Sequence, residues 1–177
     1  MNDPILSVMI TAYNQDGFIA EAIESVLNQK TTYTFEIIIG EDCSNDNTLK
    51  ICTDYEKKYP DKIKVVRNKQ NLGILGNWES TFSHCKGKYF SICEGDDYWT
   101  DEKKIDKQID FLEKNPEFGM VCSNYSKVYQ TTGIKEENCL RNRRFQKIIK
   151  YSDYIIVRNS IMTATVVMKS ELYRKYH

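Results

Sequence analysis

The sequence predicts an α/β fold, a single Rossmann-like, doubly wound, mostly parallel sheet with flanking helices. Three observations predict it. Short, nearly continuous apolar runs recur along the 177-residue chain, which is the pattern of strands covered on both faces. Stretches with apolar residues at helical spacing separate these runs, and turn-forming residues mark most of the boundaries. Regular alternation of strands with helices favours a parallel sheet.

The first strand and helix illustrate the pattern. Residues 6–12 form an apolar run, residues 13–17 have turn chemistry, and Ile19, Ile23 and Val26 then recur at helical spacing. The same apolar pattern predicts further strands at residues 35–40, 63–67, 88–93 and 118–123. The helices between them are predicted by the apolar stripes Leu49, Cys52, Tyr55 and Tyr59; Trp78, Phe82 and Cys85; and Ile105, Ile109 and Leu112.

The alternation fails after residue 124. We therefore divide the single domain into a main part, residues 1–124, and a shorter part, residues 125–177. Within the shorter part we expect, in order, an extended edge at 125–130, a turn at 131–133, a mobile exposed loop at 136–150, a short helix at 152–157, a strand at 165–168 and a helix over 170–177.

The composition is that of an ordinary globular protein. Hydrophobic residues make up 41% and charged residues 28%, and the 25 basic and 25 acidic residues leave no net charge to attract nucleic acid. The six cysteines lack zinc-site or disulfide-framework spacing, so we expect buried free thiols in a reducing compartment. No signal peptide or membrane-spanning run is visible. This predicts a cytoplasmic protein, with peripheral association at the inner face of the membrane left open.

Three carboxylates lie within four residues at the end of the predicted strand 88–93. Glu94, Asp96 and Asp97 follow that strand directly, and like charges so close together repel one another. Full solvation, a raised pKa or an oxygen-preferring cation such as Mg²⁺ or Mn²⁺ would each relieve this repulsion. The structural alternative is an acidic turn before a helix, because Asp is frequent at both positions.

Polar loops follow two other predicted strands. Residues 11–14 end the first strand and residues 41–42 end the second, and α/β sheets bind ligands beyond the carboxyl ends of their strands. With the acidic cluster, these loops offer an aromatic face for a base, a carboxylate for the base or ribose, and carboxylates for a metal on a pyrophosphate. A GxGxxG motif and a P-loop are both missing from the sequence, which weakens the dinucleotide and NTPase interpretations.

Five segments in order carry a resemblance to a known family. They are residues 7–14 (SVMITAYN), 36–48 with EDCSNDNT at 41–48, 71–73 (NLG), 87–89 (GKY) and 94–99 (EGDDYW). Together they resemble the family 2 glycosyltransferases, which are inverting, nucleotide-sugar-dependent enzymes of the GT-A fold. The resemblance implies that residues 1–124 bind the donor and that residues 125–177 are a short or truncated part of the acceptor side. It also implies a divalent cation, Mn²⁺ or Mg²⁺, a donor of the UDP type, and a glycan or lipid-linked acceptor.

The resemblance further implies roles for individual residues. Tyr13 would pack against the nucleotide base, Asp42 would hydrogen-bond it, and Asp97 would hold the metal on the diphosphate. Glu41 and Glu94 stand where the family usually has aspartate. The implied donor-binding residues are Thr11, Tyr13, Asn14, Asp42, Asn71, Asn77 and Asp96, and the implied metal ligands are Asp97, Asp96 and Glu94.

The catalytic base is not identified in the sequence. In the family it is a carboxylate on the acceptor side, and the candidates Asp153 and Glu171 are each better explained as a helix cap or a surface charge. We assign no chemistry to His84 and His177. The basic run at residues 141–144 is expected to be a solvated loop, with contact to an acceptor phosphate as the alternative.

Three functions compete at this point. The first is a metal-dependent glycosyltransferase domain, with surface polysaccharide synthesis as the process considered. The second is a truncated or inactive module that binds nucleotide sugars. The third is a sugar nucleotidyltransferase, which is disfavoured because the loop after the first strand lacks a glycine-rich, basic phosphate-binding signature.

Overall fold

A six-stranded sheet lies at the centre of the structure, a computed structural model that describes residues 3–139 and 162–176. The strands are β1 (Leu6–Ala12), β2 (Phe35–Glu41), β3 (Ile63–Arg67), β4 (Tyr89–Ile92), β5 (Met120–Cys122), β6 (Lys127–Tyr129), β7 (Ile134–Glu136) and β8 (Val166–Lys169). The helices are α1 (Ile19–Leu27), α2 (Thr48–Lys58), α3 (Gly73–Phe82), α4 (Lys104–Lys114) and α5 (Ser170–Tyr176), and a 3₁₀ turn covers Thr163–Thr165.

The strand order is β3-β2-β1-β4-β8-β5, while β6 and β7 form a separate hairpin. The first four strands in this order are parallel, and β8 runs antiparallel to both of its neighbours. The predicted α/β fold with a mostly parallel sheet is confirmed. The expectation that the strand at 118–123 directly extends the parallel alternation is wrong, because β8 lies between β4 and β5. The Ser91 hydroxyl of β4 stabilises the position of β8 beside β4 by donating a hydrogen bond to the Val166 carbonyl at 2.6 Å.

Helices cover both faces of the sheet because successive strand residues point to opposite sides. Leu6, Val8 and Ile10 of β1 pack into a core with residues of α1, α2 and α4. Met9, between them, points to a smaller core on the other face. There α3 and α5 meet in an aromatic cluster of Trp78, Phe82, Phe90 and Tyr173. These two cores hold the strand ends, and the loops that follow them, in fixed positions.

Some predicted details differ from the structure. Cys43 and Cys122 are exposed, so the expectation that the cysteines are buried holds only for Cys52, Cys85 and Cys93. Helix α3 ends at Phe82 and does not include Cys85, although that thiol is buried beside it. The loop predicted from residue 136 begins later, because Glu136 still pairs with Lys127 in the hairpin.

Several predictions concern residues outside the described ranges. They are the rest of the loop from residue 140, the helix at 152–157, the basic run at 141–144, Asp153 and His177. Among the helices of residues 3–139 and 162–176, none has the length and apolar character needed to cross a bilayer.

Candidate functional site

The predicted polar loops meet at one edge of the sheet. Because β1, β2 and β4 are parallel neighbours, their carboxyl ends bring together the residues that follow them. The Gly95 amide donates to the Thr11 carbonyl at 3.0 Å, and the Asp42 amide donates to the Ala12 carbonyl at 3.0 Å. The three loops are therefore joined through their backbones. We call this region the donor edge, after the role that the sequence resemblance implies for it.

Asn14 clasps the first loop to the second. Its backbone is in the left-handed region with φ of 51°, a conformation that asparagine tolerates better than most residues. Its side-chain oxygen accepts a hydrogen bond from the Asn45 amide at 2.8 Å, and its own amide donates to the Ser44 hydroxyl at 3.0 Å. Tyr13, directly before it, remains 43% exposed and offers an open ring at this edge.

Asp42 is buried beneath the loop that follows β3. It is 2% exposed, and its carboxylate accepts hydrogen bonds from the Asn68 side chain and the Leu72 amide at 2.9 Å and from the Gly73 amide at 3.0 Å. A buried carboxylate requires such compensation, and here the donors come from the loop. Asp42 therefore fixes the shape of residues 68–73 whatever else it binds.

Asn68 is a residue of this edge that the sequence interpretation missed. Its side-chain amide donates to both Asp42 and Asn77, the latter at 3.0 Å. Asn77 is 4% exposed and donates to the Gly40 carbonyl at 3.0 Å, so its side chain is committed to the interior. Asn71 is exposed and caps the Gly73 amide at 3.0 Å. The position of Asn68 directly after β3 was the available signal.

The acidic cluster has the mutual repulsion that its sequence predicts. Asp96 is exposed, whereas Asp97 is partly buried. Burial, followed by the negative charges of Glu94 and Asp96, raises the pKa of the Asp97 carboxyl to about 6. Ionised Asp97 is therefore in an unfavourable environment that a nearby cation would improve.

Glu94 has two oxygens in different surroundings. Oε1 accepts a hydrogen bond from the Thr163 hydroxyl, which arrives from the distant end of the chain. Oε2 is buried and has no hydrogen-bond partner within the described ranges. The Gln15 side-chain oxygen is also buried and unpartnered there, and it lies so close to Gly95 that a Cβ on this glycine would be 2.3 Å from it. Two unsatisfied acceptors thus adjoin Gly95.

These residues fit a divalent cation in their chemistry, although no three His, Cys, Asp or Glu side chains of residues 3–139 and 162–176 are grouped as a metal site. Carboxylate oxygens suit Mg²⁺ and Mn²⁺, and Mg²⁺ is usually held by one or two carboxylates together with phosphate oxygens and water. The unsatisfied Glu94 oxygen and the unfavourable charge of Asp97 supply two such ligands beside each other. The rest of the coordination would come from a diphosphate.

Trp99 and Lys104 connect the acidic loop to neighbouring elements of the fold. The Trp99 indole donates to the Ala164 carbonyl at 3.1 Å, and the Lys104 ammonium lies 4.4 Å from the centroid of the Trp99 ring. Lys104 is 6% exposed, and this burial lowers the pKa of its ammonium group to about 8. Trp99 is thus a core residue that ties the acidic loop to the turn before β8.

Glu171 is far from the donor edge. It lies in the first turn of α5, directly beyond the carboxyl end of β8. Because β8 is antiparallel to β4, that end lies beside Tyr89, where β4 begins, while the acidic cluster follows the other end of β4. Glu171 is therefore not placed to act as a base beside Asp97.

Comparisons with known proteins agree with this architecture. Residues 7–174 match the model of glycosyl transferase family 2. The chain is 36% identical to the putative glycosyltransferase EpsE of Bacillus subtilis over 97% of this chain and 58% of that protein. It is 33% identical to an uncharacterized protein of Mycobacterium tuberculosis over 94% of this chain and 47% of that protein. The chain thus spans about half the length of these curated relatives.

Solved structures show the same fold at low sequence identity. Staphylococcus aureus TarS 1–349 in complex with UDP superposes with a TM-score of 0.74 at 21% identity, covering 97% of this chain and 48% of TarS. The mannosyltransferase PcManGT from Pyrobaculum calidifontis, in complex with GDP-Man and Mn²⁺, gives a TM-score of 0.71 at 16% identity, covering 99% of this chain and 47% of that one. With its GT-A fold and the match over nearly its whole length, the chain belongs to glycosyl transferase family 2.

Proposed function

We propose that this chain is the donor-binding part of a glycosyltransferase that uses a nucleotide-diphosphate sugar, of the UDP type, and a divalent cation. The single observation that carries the proposal is the donor edge, where an open aromatic ring, a buried carboxylate and an acidic cluster meet. Support comes from TarS, which binds UDP, and from PcManGT, which binds GDP-Man and Mn²⁺. The acceptor would be a glycan or a lipid-linked glycan, and the name of a relative in Bacillus subtilis, the putative teichuronic acid biosynthesis glycosyltransferase TuaG, favours a polysaccharide.

The residues divide the binding work between the base and the diphosphate. The exposed ring of Tyr13 would stack on the base, and Thr11 lies beside it on the same loop. Asp42 would use the remaining lone pair of Oδ2 toward the base while it holds the loop at residues 68–73. Asn14, Asn71 and Asn77 would act by shaping these loops, and Asp96 would face the ribose or sugar.

The acidic cluster would serve the leaving group. A bound divalent cation neutralises the charge that develops on the diphosphate when the glycosyl group leaves. Asp97 and the unsatisfied oxygen of Glu94 would hold the cation, and the rest of its coordination shell would be phosphate and water. A base must also deprotonate the acceptor hydroxyl, and we give this role to none of the donor-edge residues.

Isothermal titration calorimetry tests this proposal with UDP, GDP and TDP, each with and without Mn²⁺. We expect Mn²⁺-dependent binding of UDP. Asp97→Asn should abolish the Mn²⁺ dependence without lowering the stability, because the substitution removes a repelled carboxylate. Asp61→Asn, at an exposed position after α2, is the matched control and should bind as the wild type does.

Two results would contradict the proposal. One is the absence of Mn²⁺-dependent binding with every nucleotide, and the other is unfolding of Asp97→Asn, which would make this carboxylate structural. If this chain binds the nucleotide sugar without turnover, and a longer version of the protein does turn it over, the second candidate function, a nucleotide-sugar-binding module, is favoured. The half-length match to the relatives is the observation that keeps this candidate in view.

A further inference from the structure

The Glu94 carboxylate is held in an orientation in which only one of its two oxygens accepts a hydrogen bond from the described residues. One oxygen accepts a hydrogen bond from Thr163, while the other is buried without a partner in the described part of the chain. Leaving a buried acceptor unsatisfied costs free energy, and the cost is larger for charged groups. The contact with Thr163 therefore holds Glu94 so that its second oxygen stays without a hydrogen bond, and a bound ligand could satisfy that oxygen.

The position of Thr163 is itself fixed by three contacts to the turn that contains it. The Trp99 indole donates to the Ala164 carbonyl at 3.1 Å. The Thr165 carbonyl accepts hydrogen bonds from the Gln108 side chain at 2.9 Å and from the Lys104 ammonium at 3.4 Å. The acidic loop and α4 thus both hydrogen-bond the turn, which places the Thr163 hydroxyl beside Glu94.

Thr163 has little structural work of its own. It is exposed, whereas Thr165 in the same turn is 5% exposed and bonds the Met162 carbonyl at 2.6 Å. We therefore expect a Thr163→Val substitution to leave the core and the supporting contacts unchanged. A change in ligand binding without a change in stability would distinguish positioning of Glu94 from support of the fold.

We propose that Thr163 is a positioning residue, which fixes the Glu94 carboxylate so that its second oxygen stays available to the divalent cation of a nucleoside diphosphate. This inference rests on the proposed function. It brings a residue from the last part of the chain, outside the five short segments on which the sequence resemblance rests, into the donor edge. Thr163 would not contact the donor itself, because it acts through Glu94.

Three variants test the inference. Thr163→Val removes the hydroxyl and keeps the shape, Thr163→Ser restores the hydroxyl, and Thr131→Val makes the same change at an exposed threonine of the hairpin turn. UDP binding is measured by calorimetry over a series of Mn²⁺ concentrations, Mn²⁺ binding alone by electron paramagnetic resonance, and stability by thermal unfolding. We expect Thr163→Val to raise the half-saturating Mn²⁺ concentration about 10-fold, as losses of groups that orient metal ligands do. Thr163→Ser should bind like the wild type, Thr131→Val should be unchanged, and all proteins should unfold at similar temperatures.

Each contrary outcome has a distinct meaning. If the wild type binds UDP with Mn²⁺ and Thr163→Val binds equally well, the inference fails while the proposed function stands. If Thr163→Val unfolds at a lower temperature and Thr163→Ser does not restore binding, Thr163 is structural and the inference also fails. If the wild type binds neither Mn²⁺ nor UDP, both the inference and the proposed function are overturned.

Discussion

Lys104 is a charged residue in an apolar setting at the junction of α4, β8 and the acidic loop. Its ammonium donates to Gln108 and to the Thr165 carbonyl and packs over Trp99, but few negative charges lie near it. Burial therefore lowers its pKa from 10.5 to about 8, which corresponds to about 3 kcal/mol at ~1.4 kcal/mol per pKa unit. Despite this cost, the hydrogen bond from the Lys104 ammonium to the Thr165 carbonyl helps to fix the geometry of the turn that contains Thr163.

Lys104→Met should change how stability depends on pH. Between pH 8 and 10.5 the unfolded wild type binds a proton on Lys104 that the folded state lacks, so this residue makes stability rise with pH. Below pH 8 both states are protonated and the contribution is constant. We expect the unfolding free energy of the wild type to increase, relative to Lys104→Met, by up to about 3 kcal/mol across this range.

Chemical denaturation of both proteins at several pH values between 7.5 and 10.5 measures this difference. Tyrosines with raised pKa values, such as Tyr33 and Tyr55, also titrate differently in the folded state, but they are common to both proteins and cancel. Lys103→Met, at the exposed neighbouring position, is the control and should differ from the wild type by a constant amount. A constant difference for Lys104→Met as well would show that its ammonium is not destabilised by burial.

At the scale of elements, the close approach of α3 to β2 sets the shape of the donor edge. A Cβ on Gly40 would lie 1.8 Å from the Thr81 hydroxyl and 2.7 Å from the Asn77 side-chain oxygen. Both groups are buried, and Asn77 is bonded to the Gly40 carbonyl. The absence of a side chain on Gly40 thus allows the helix to reach the strand and to order the Asp42–Asn68–Asn77 network.

Gly40→Ala should therefore destabilise the protein by about 3 kcal/mol, the upper part of the usual range for overpacking a core. UDP binding should weaken too, because we expect the loop at residues 68–73 to shift with α3. Equilibrium unfolding in urea gives the first effect and calorimetry the second. Gly17→Ala is the control, since a Cβ there would meet no atom within 4 Å. Equal stability of the two variants would contradict this account of the contact.

The elements were predictable from sequence to the extent that local periodicity determines them. The runs that became β1, β2, β3 and β4, and even the late strand at Val166–Lys169, carry their own apolar signal. The pairing of these strands carries no such local signal. An apolar run indicates that both faces of a strand are covered, but it does not indicate which neighbouring strand supplies the hydrogen bonds. The contact between Thr163 and Glu94 depends on that pairing across 69 positions, so it could not be found locally. The donor edge was predictable because parallel strands share one carboxyl edge.

For the whole molecule, the decisive feature is that β8 lies inside the sheet. It pairs with β4 on one side and β5 on the other, and β5 has no other sheet partner among the described residues. The division at residue 124 is therefore a division of sequence with no matching division of the sheet. The main part would leave β4 open to solvent and β5 unpaired.

A chain ending at Asn124 should accordingly fail to unfold cooperatively. The lost pairing with β8 includes the buried Val166 and Val167, and each buried valine contributes about 1.5–3 kcal/mol. Circular dichroism with thermal or urea denaturation shows the presence or absence of a transition. As a control, residues 127–136 of the exposed hairpin are replaced by a short Gly-Ser linker, and this variant should unfold cooperatively near the wild-type temperature. A cooperative transition in the shorter chain would show that residues 1–124 fold alone.

The late position of β8 also has a consequence during synthesis. Ser91 of β4 and its partner Val166 are 75 residues apart, and a ribosome that adds roughly 5–20 residues per second needs about 4–15 s to bridge them. Throughout that interval the residues of β4 lack their β8 partner, and an unpaired strand can pair with other chains instead. Nascent copies on neighbouring ribosomes can therefore pair through the residues of β4, which β8 covers in the finished protein.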